Sequence, residues 1–194
     1  MTANSTTNVM FVGVGGQGTL LASRLLGRVL TDAGYDVKVS EVHGMSQRGG
    51  SVVTYVRYGK SVASPIVEKG ECDVIVAFEQ LEALRSLPYL SKKGTLIVNT
   101  QKIDPMPVIT GAASYPDGII EALRAAGADV TDIDALPKAR GSGSVKAVNT
   151  VLLGVAAKRL GLPKEAFLDA IDAIVAEKFR AINKKAFAAG YGEE

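Results

Sequence analysis

The alternation of short apolar runs with stretches of helical periodicity constrains this chain more than any other feature. "NVMFVGV" (8–14), "DVIVAF" (73–78) and "GTLIVNT" (94–100) are the length of strands buried on both faces. After the first run, Leu21, Leu25, Leu26, Val29, Leu30 and Ala33 recur on one helical face over 19–33. Arg24 and Arg28 fall on the opposite face, Asp32 stands four residues after Arg28, and Gly34 closes the segment. Strands followed by helices of this kind build a parallel sheet between helical layers.

The remaining segments extend the pattern. "YDVKVSEV" (35–42) alternates as a second strand, and "HGMSQRGG" (43–50) is a polar loop. "SVVTYVRYG" (51–59) reads as a third strand, with a fourth expected at 61–67. A strand joined to its neighbour by so few residues runs antiparallel to it, so the sheet is expected to be mixed. A helix is expected over 79–90, and an edge strand or extended loop at "DPMPVITG" (104–111). Next come a helix over 116–128, bounded by Pro116 and Gly127, and a short strand at "DVTDIDA" (129–135). Helices over about 144–160 and 163–177 and a frayed one over 181–189 complete the chain. The expectation is a three-layer α/β/α Rossmann-like domain with a mixed, mainly parallel sheet and a helical C-terminal layer. Residues 1–7 read as a disordered tail and 8–190 as one domain.

Composition removes several function classes. Net charge is +2, too small to argue for a nucleic-acid or membrane partner, and no apolar run approaches the length that spans a bilayer. "MTANSTTN" lacks the basic and apolar regions of a signal peptide. One cysteine, Cys72, cannot ligate an iron–sulfur cluster, build a zinc site or form an internal disulfide, and it reads as a passive thiol before a buried strand. No metal site and a cytoplasmic location are expected.

Gly13, Gly15 and Gly18 satisfy G-x-G-x-x-G between a strand and a helix, the setting of a dinucleotide fingerprint. The helix start at Gln17–Thr19 offers free N–H groups to an anion, and Glu41, 23 positions after Gly18, stands where a ribose-binding acid would be sought. Gly16 makes the pattern G-x-G-G-x-G, which also occurs in adenylating enzymes, although no convincing arginine and aspartate set for ATP accompanies it. A tight strand–helix corner that binds nothing satisfies the same spacing. Gln17 is suited either to a ligand or to a neighbouring backbone.

The stretch "SEVHGMSQRGGSVVTYVRYG" (40–59) is more specific. With "GVGGQGTLLASRLL" before it and "SVKAVNTVLLGVA" after it, it resembles the gamma-type domain of 2-oxoacid:ferredoxin oxidoreductases over about residues 8–185. "EVHGMSQRGGSV" is most similar to the small subunits of the indolepyruvate branch. The resemblance implies oxidative decarboxylation of a 2-oxoacid by thiamine diphosphate, with electrons passing through iron–sulfur clusters to ferredoxin and CoA, the co-substrate, leaving as an acyl-CoA. The Gly-Asp-Gly segment that precedes the magnesium-binding Asn in that family is absent, and one cysteine holds no cluster. Both absences imply that thiamine diphosphate, magnesium and clusters belong to a large partner subunit, that this chain binds no cofactor alone, and that it is inactive alone. The rivals are a free-standing NAD(P)-binding oxidoreductase and a non-catalytic module.

Several side chains stand out as site candidates. Arg48 is the only cation in "HGMSQRGG"; followed by Gly49 and Gly50, it is free to grip a phosphate or carboxylate through two hydrogen bonds, with Ser46, Gln47 and backbone amides completing an anion nest. It suits equally a partner's active site or the CoA path and a partner's carboxylate at an interface. His43, the only histidine, is a weak candidate acid or base beside the plainer reading of a satisfied loop residue. In "RGSGSVKAVN" (140–149), Ser142 or Ser144 can cap the following helix. Lys146 in its first turn opposes the helix dipole, so an anion site and an ordinary cap are both open.

Overall fold

The computed structural model describes residues 6–43 and 50–192, with His43 described in its backbone alone. Among them lie six strands: β1 (Thr7–Val14), β2 (Asp36–His43), β3 (Ser51–Gly59), β4 (Cys72–Ala77), β5 (Leu90–Asn99) and β6 (Asp129–Ile133). They form one sheet in the order β2-β3-β1-β4-β5-β6. β3 runs antiparallel to both β1 and β2, while β1, β4, β5 and β6 are mutually parallel. The sheet is therefore mixed and mainly parallel, as the sequence suggests. β1 takes in Thr7, a residue of the expected tail.

The helices are α1 (Thr19–Asp32), α2 (Gln80–Ser86), α3 (Met106–Ile109), α4 (Ile119–Ala125), α5 (Ala135–Gly141), α6 (Val148–Arg159), α7 (Lys164–Ile174) and α8 (Glu177–Tyr191). Strand alternation sorts the core. Val9, Phe11, Val74 and Val76 face α1 and α5–α8, whereas Met10, Val12, Ile75 and Ala77 face α2 and α4. α6 is buried on nearly all sides, between sheet and α8, so its apolar residues form no single stripe. The expected Arg28–Asp32 pair is made at 2.6 Å, half exposed on α1 and worth less than about 1 kcal/mol.

Five local expectations are corrected. There is no strand at 61–67. Both edges of β3 are already taken, and the Arg57 guanidinium instead donates to the carbonyls of Ser64 (3.0 Å) and Ile66 (2.7 Å). The Val62 N–H likewise goes to the Asp36 carboxylate at 2.7 Å. Residues 106–109 form a single helical turn, α3, where an edge strand or extended loop was expected. The helix expected over 79–90 stops at Ser86 and continues as a 3-10 turn at Leu87–Tyr89, so β5 starts at Leu90. α5 follows β6 where no helix was expected, capped by the Asp134 carboxylate. The last helix is longer than the frayed 181–189 segment. Buried Phe187 pins it, stacking on Phe167 (4.8 Å) and Tyr191 (5.8 Å).

Cys72 is buried on β4, its Sγ near the carbonyls of Asn8 (3.5 Å) and Val74 (3.3 Å). Burial pushes the thiol up to about 12. We expect the folded chain at pH 8 to resist a thiol reagent more than about a thousandfold relative to free cysteine, and to react promptly once unfolded. Stoichiometric labelling of the native protein within minutes would contradict this.

Candidate functional site

The carboxyl ends of the parallel strands gather the candidate residues. Between β1 and β4 the covering helices change face, α1 packing on one side and α2 on the other. In open α/β sheets that crevice is where ligands enter. Here the glycine corner stands beside it.

Two of the three fingerprint glycines, Gly13 and Gly18, have a protein neighbour that accounts for them. A Cβ on Gly13 would lie 2.8 Å from Gln17 Oε1 and 3.0 Å from Phe78 Cβ. A Cβ on Gly18, at φ +83°, would lie 2.5 Å from Asn149 Nδ2, the atom that donates to the Gly18 carbonyl. The Gly15 N–H donates to the Gly50 carbonyl at 2.8 Å. Gly16, at φ +102° in the turn closed by Gln17 N–H to Val14 O, faces open space.

Gln17 spends its carboxamide inside the crevice. Oε1 accepts from the Val14 N–H at 2.8 Å, and Nε2 donates to the Phe78 carbonyl at 3.0 Å and faces Gln101 Oε1 at 3.5 Å. The partners fix the amide's orientation: Val14 needs an acceptor and Phe78 a donor. Asn99, at the end of β5, adds a second bond to Phe78 O and accepts from the Ala135 N–H, tying in α5.

Two hollows flank the corner. One, of about 440 Å³, is lined by Gly15, Gly16, Gly18, Thr19, Leu20, Glu41 and Val52. Glu41 does reach its rim, but β3 lies between β1 and β2, so the acid stands one strand further from β1 than in a simple dinucleotide fold. The other, of about 420 Å³, lies toward Gln101, Leu136, Val145 and Lys146. The corner is their shared ridge, where the first N–H groups of α1 have no side-chain cap. Such an end can receive an anion.

The other expected residues are placed as follows. Ser144 Oγ accepts from the Lys146 N–H at 3.2 Å and caps a 3-10 turn at Val145–Ala147 ahead of α6, leaving Lys146 exposed on the second hollow. Ser142 instead donates back to the Lys138 carbonyl. Gly50 lies against the corner, and His43 pairs in β2 opposite Val52. Ser46, Gln47, Arg48 and Gly49 lie outside the described residues. Among those described, no cluster of three metal-ligating side chains occurs, and no helix is long and apolar enough to cross a membrane.

Sequence reading missed a second set, at the starts of α2 and β3. Glu79, buried after β4, accepts from the Glu82 N–H and the Ile103 N–H and pairs with the Tyr115 hydroxyl. Burial, followed by the bond to Glu79, pushes the Tyr115 phenol well up. Glu82, also buried, accepts from Ser51 Oγ (2.5 Å) and Arg85 (2.5 Å). A polar residue just after an apolar strand was the available signal.

Known proteins match this arrangement over most of its length. The family described as pyruvate ferredoxin/flavodoxin oxidoreductase matches residues 8–193. Indolepyruvate oxidoreductase subunit IorB of Thermococcus kodakarensis is 40% identical over 190 residues, 94% of this chain and 93% of that one. The gamma subunit of a keto/oxoacid ferredoxin oxidoreductase from Geobacter sulfurreducens superposes with a TM-score of 0.71 at 24% identity, covering 95% and 96% of the two chains. A 2-oxoglutarate:ferredoxin oxidoreductase from Magnetococcus marinus gives 0.73 at 18% identity, over 96% of this chain and 30% of that much longer one.

Proposed function

The chain belongs to the pyruvate ferredoxin/flavodoxin oxidoreductase family, as an IorB-like small subunit of a 2-oxoacid:ferredoxin oxidoreductase, and from this premise we propose that it completes an arylpyruvate-oxidising enzyme whose chemistry is housed by a large partner. In this reading the partner holds thiamine diphosphate, magnesium and iron–sulfur clusters. A 2-oxoacid loses carbon dioxide there, two electrons pass to ferredoxin, and the acyl group leaves on CoA. The observation that carries the reading is the 40% identity sustained over 94% of the chain.

The donor set of this chain supports the division of labour. Cluster ligation needs several accessible thiolates, and the chain has one cysteine, buried and with its thiol pushed up to about 12. Its contribution is therefore surface and positioning, delivered by the corner and the connection between β2 and β3. CoA as acyl acceptor and ferredoxin as electron acceptor meet the complex rather than this chain alone. A cytoplasmic setting fits a ferredoxin-linked reaction.

Co-purification with a large subunit bearing Gly-Asp-Gly and cysteine clusters tests the proposal. We expect CoA-dependent reduction of a low-potential dye only when both chains are present, with kcat/KM for indolepyruvate or phenylpyruvate at least about tenfold above pyruvate, the scale on which an apolar pocket sorts side chains. NAD(P)-dependent oxidation by the isolated chain would overturn the assignment. A complex preferring pyruvate would overturn the aryl specificity alone.

A further inference from the structure

We infer that Gln17 is the residue that decides what the glycine corner binds: its carboxamide occupies the crevice between the carboxyl ends of β1 and β4, and the corner grips its own chain at Gly50 in place of a dinucleotide. The spacing of glycines is that of a pyrophosphate cradle, in which close backbone approach to the ligand is the reason for the second glycine and helix packing the reason for the third. In this chain the reasons have changed. Gly13 leaves room for Gln17 Oε1 and Phe78 Cβ, Gly18 for the Asn149 side chain, and the Gly15 N–H is spent on Gly50 O.

The crevice is filled by a group whose hydrogen bonds are met at both ends. The Gln17 carboxamide accepts from Val14 N–H and donates to Phe78 O, so it joins the last residue of β1 to the residue after β4. The same closure holds the turn Val14–Gln17, which presents the Gly15 N–H outward toward Gly50, the residue from which the chain returns into β3. Ser51, next along, is held from the other face of the sheet by Glu82 on α2 at 2.5 Å. A ligand entering the crevice would displace the carboxamide, leave Val14 N–H without its acceptor and take from Phe78 O one of its two donors, Asn99 alone remaining, which is costly in a part-buried site.

Replacing the carboxamide distinguishes this positioning role from simple filling. In Gln17→Glu one oxygen still accepts from Val14 N–H, but at pH 8 the other faces the Phe78 carbonyl, where only a donor fits. Tm of the whole chain should fall by roughly 4–8 °C at pH 8. A protonated carboxyl can donate there, so its folded pKa lies above the unfolded value of about 4.3. That stabilisation is complete below the unfolded pKa and is lost as pH rises through the folded one, so the deficit must shrink as pH falls from 8 to 5. Gln17→Met keeps length and bulk without hydrogen bonds. It should show a pH-independent deficit and faster hydrogen exchange at Val14 and Gly15, with β4 and β5 still protected. Equal stability of wild type and Gln17→Glu at pH 8, or the same pH-independent deficit in both variants, would overturn the inference. So would micromolar binding of NAD or ADP to the wild-type chain by calorimetry.

Discussion

Replacing Gly190 by alanine is expected to lower the melting temperature more than any other single methyl added to this fold. An added Cβ would lie 1.9 Å from the Val151 carbonyl oxygen and 2.8 Å from its carbon, and these are backbone atoms that no rotamer change can move. The reciprocal position is as tight: a Cβ on Gly154 would meet Phe187 O at 2.3 Å and Tyr191 N at 2.7 Å. The two glycines let α6 and α8 cross backbone to backbone. α6 is in turn the element that packs Val151, Leu152 and Leu153 into the core. Forcing the helices apart opens the Phe167–Phe187–Tyr191 stack beside them. Overpacking of this kind costs about 3 kcal/mol, hence a fall in Tm of roughly 6–12 °C for a chain of this size. Gly141→Ala, with nothing within 4 Å of the new methyl, is the control and should change Tm little. If Gly190→Ala melts with wild type, the close crossing is wrong.

That crossing shows what the sequence withholds. "SVKAVNTVLLGVAAKR" announces a helix, and its apolar residues on every side announce burial. Nothing local says that Gly154 faces Gly190, because the pairing exists only after α8 has folded back. The same limit governs the sheet. β1 and α1 are legible, since an apolar run and a 3.6-residue period are properties of neighbours along the chain. The order β2-β3-β1 is not, and it carries two consequences: β3 has no free edge for a strand at 61–67, and Glu41 is held one strand away from β1.

The candidate site divides in the same way. The glycine spacing gives a turn and a helix start, and both are present. What fills the crevice is decided by Phe78 and Gln101, far along the chain from Gln17. Asn149 stood in plain view as a polar residue within an apolar helix, yet its target, the Gly18 carbonyl, lies on another element. Local chemistry was readable, and its partners were not.

Arg48→Ala in the assembled enzyme is expected to cut activity by tenfold to more than a hundredfold, while the complex with the large subunit persists. The connection that carries Arg48 leaves β2 at His43 and returns at Gly50, both at the carboxyl end of the sheet beside the glycine corner. Its return is held twice, by Gly15 N–H on Gly50 O (2.8 Å) and by the buried Glu82 carboxylate on Ser51 Oγ (2.5 Å). Arg48 is the only cation between His43 and Gly50, and two-pronged contact with a carboxylate or phosphate contributes about 1.5–3 kcal/mol when lost, which sets the expected range of activity. Arg48→Lys should recover part of the loss, since an ammonium keeps the charge without the planar fork. Arg28→Ala, which removes only the exposed pair with Asp32, should leave activity unchanged. Should Arg48→Ala instead release the large subunit while any remaining complex turns over at the wild-type rate, the arginine pairs with the partner's surface and takes no part at the reacting centre.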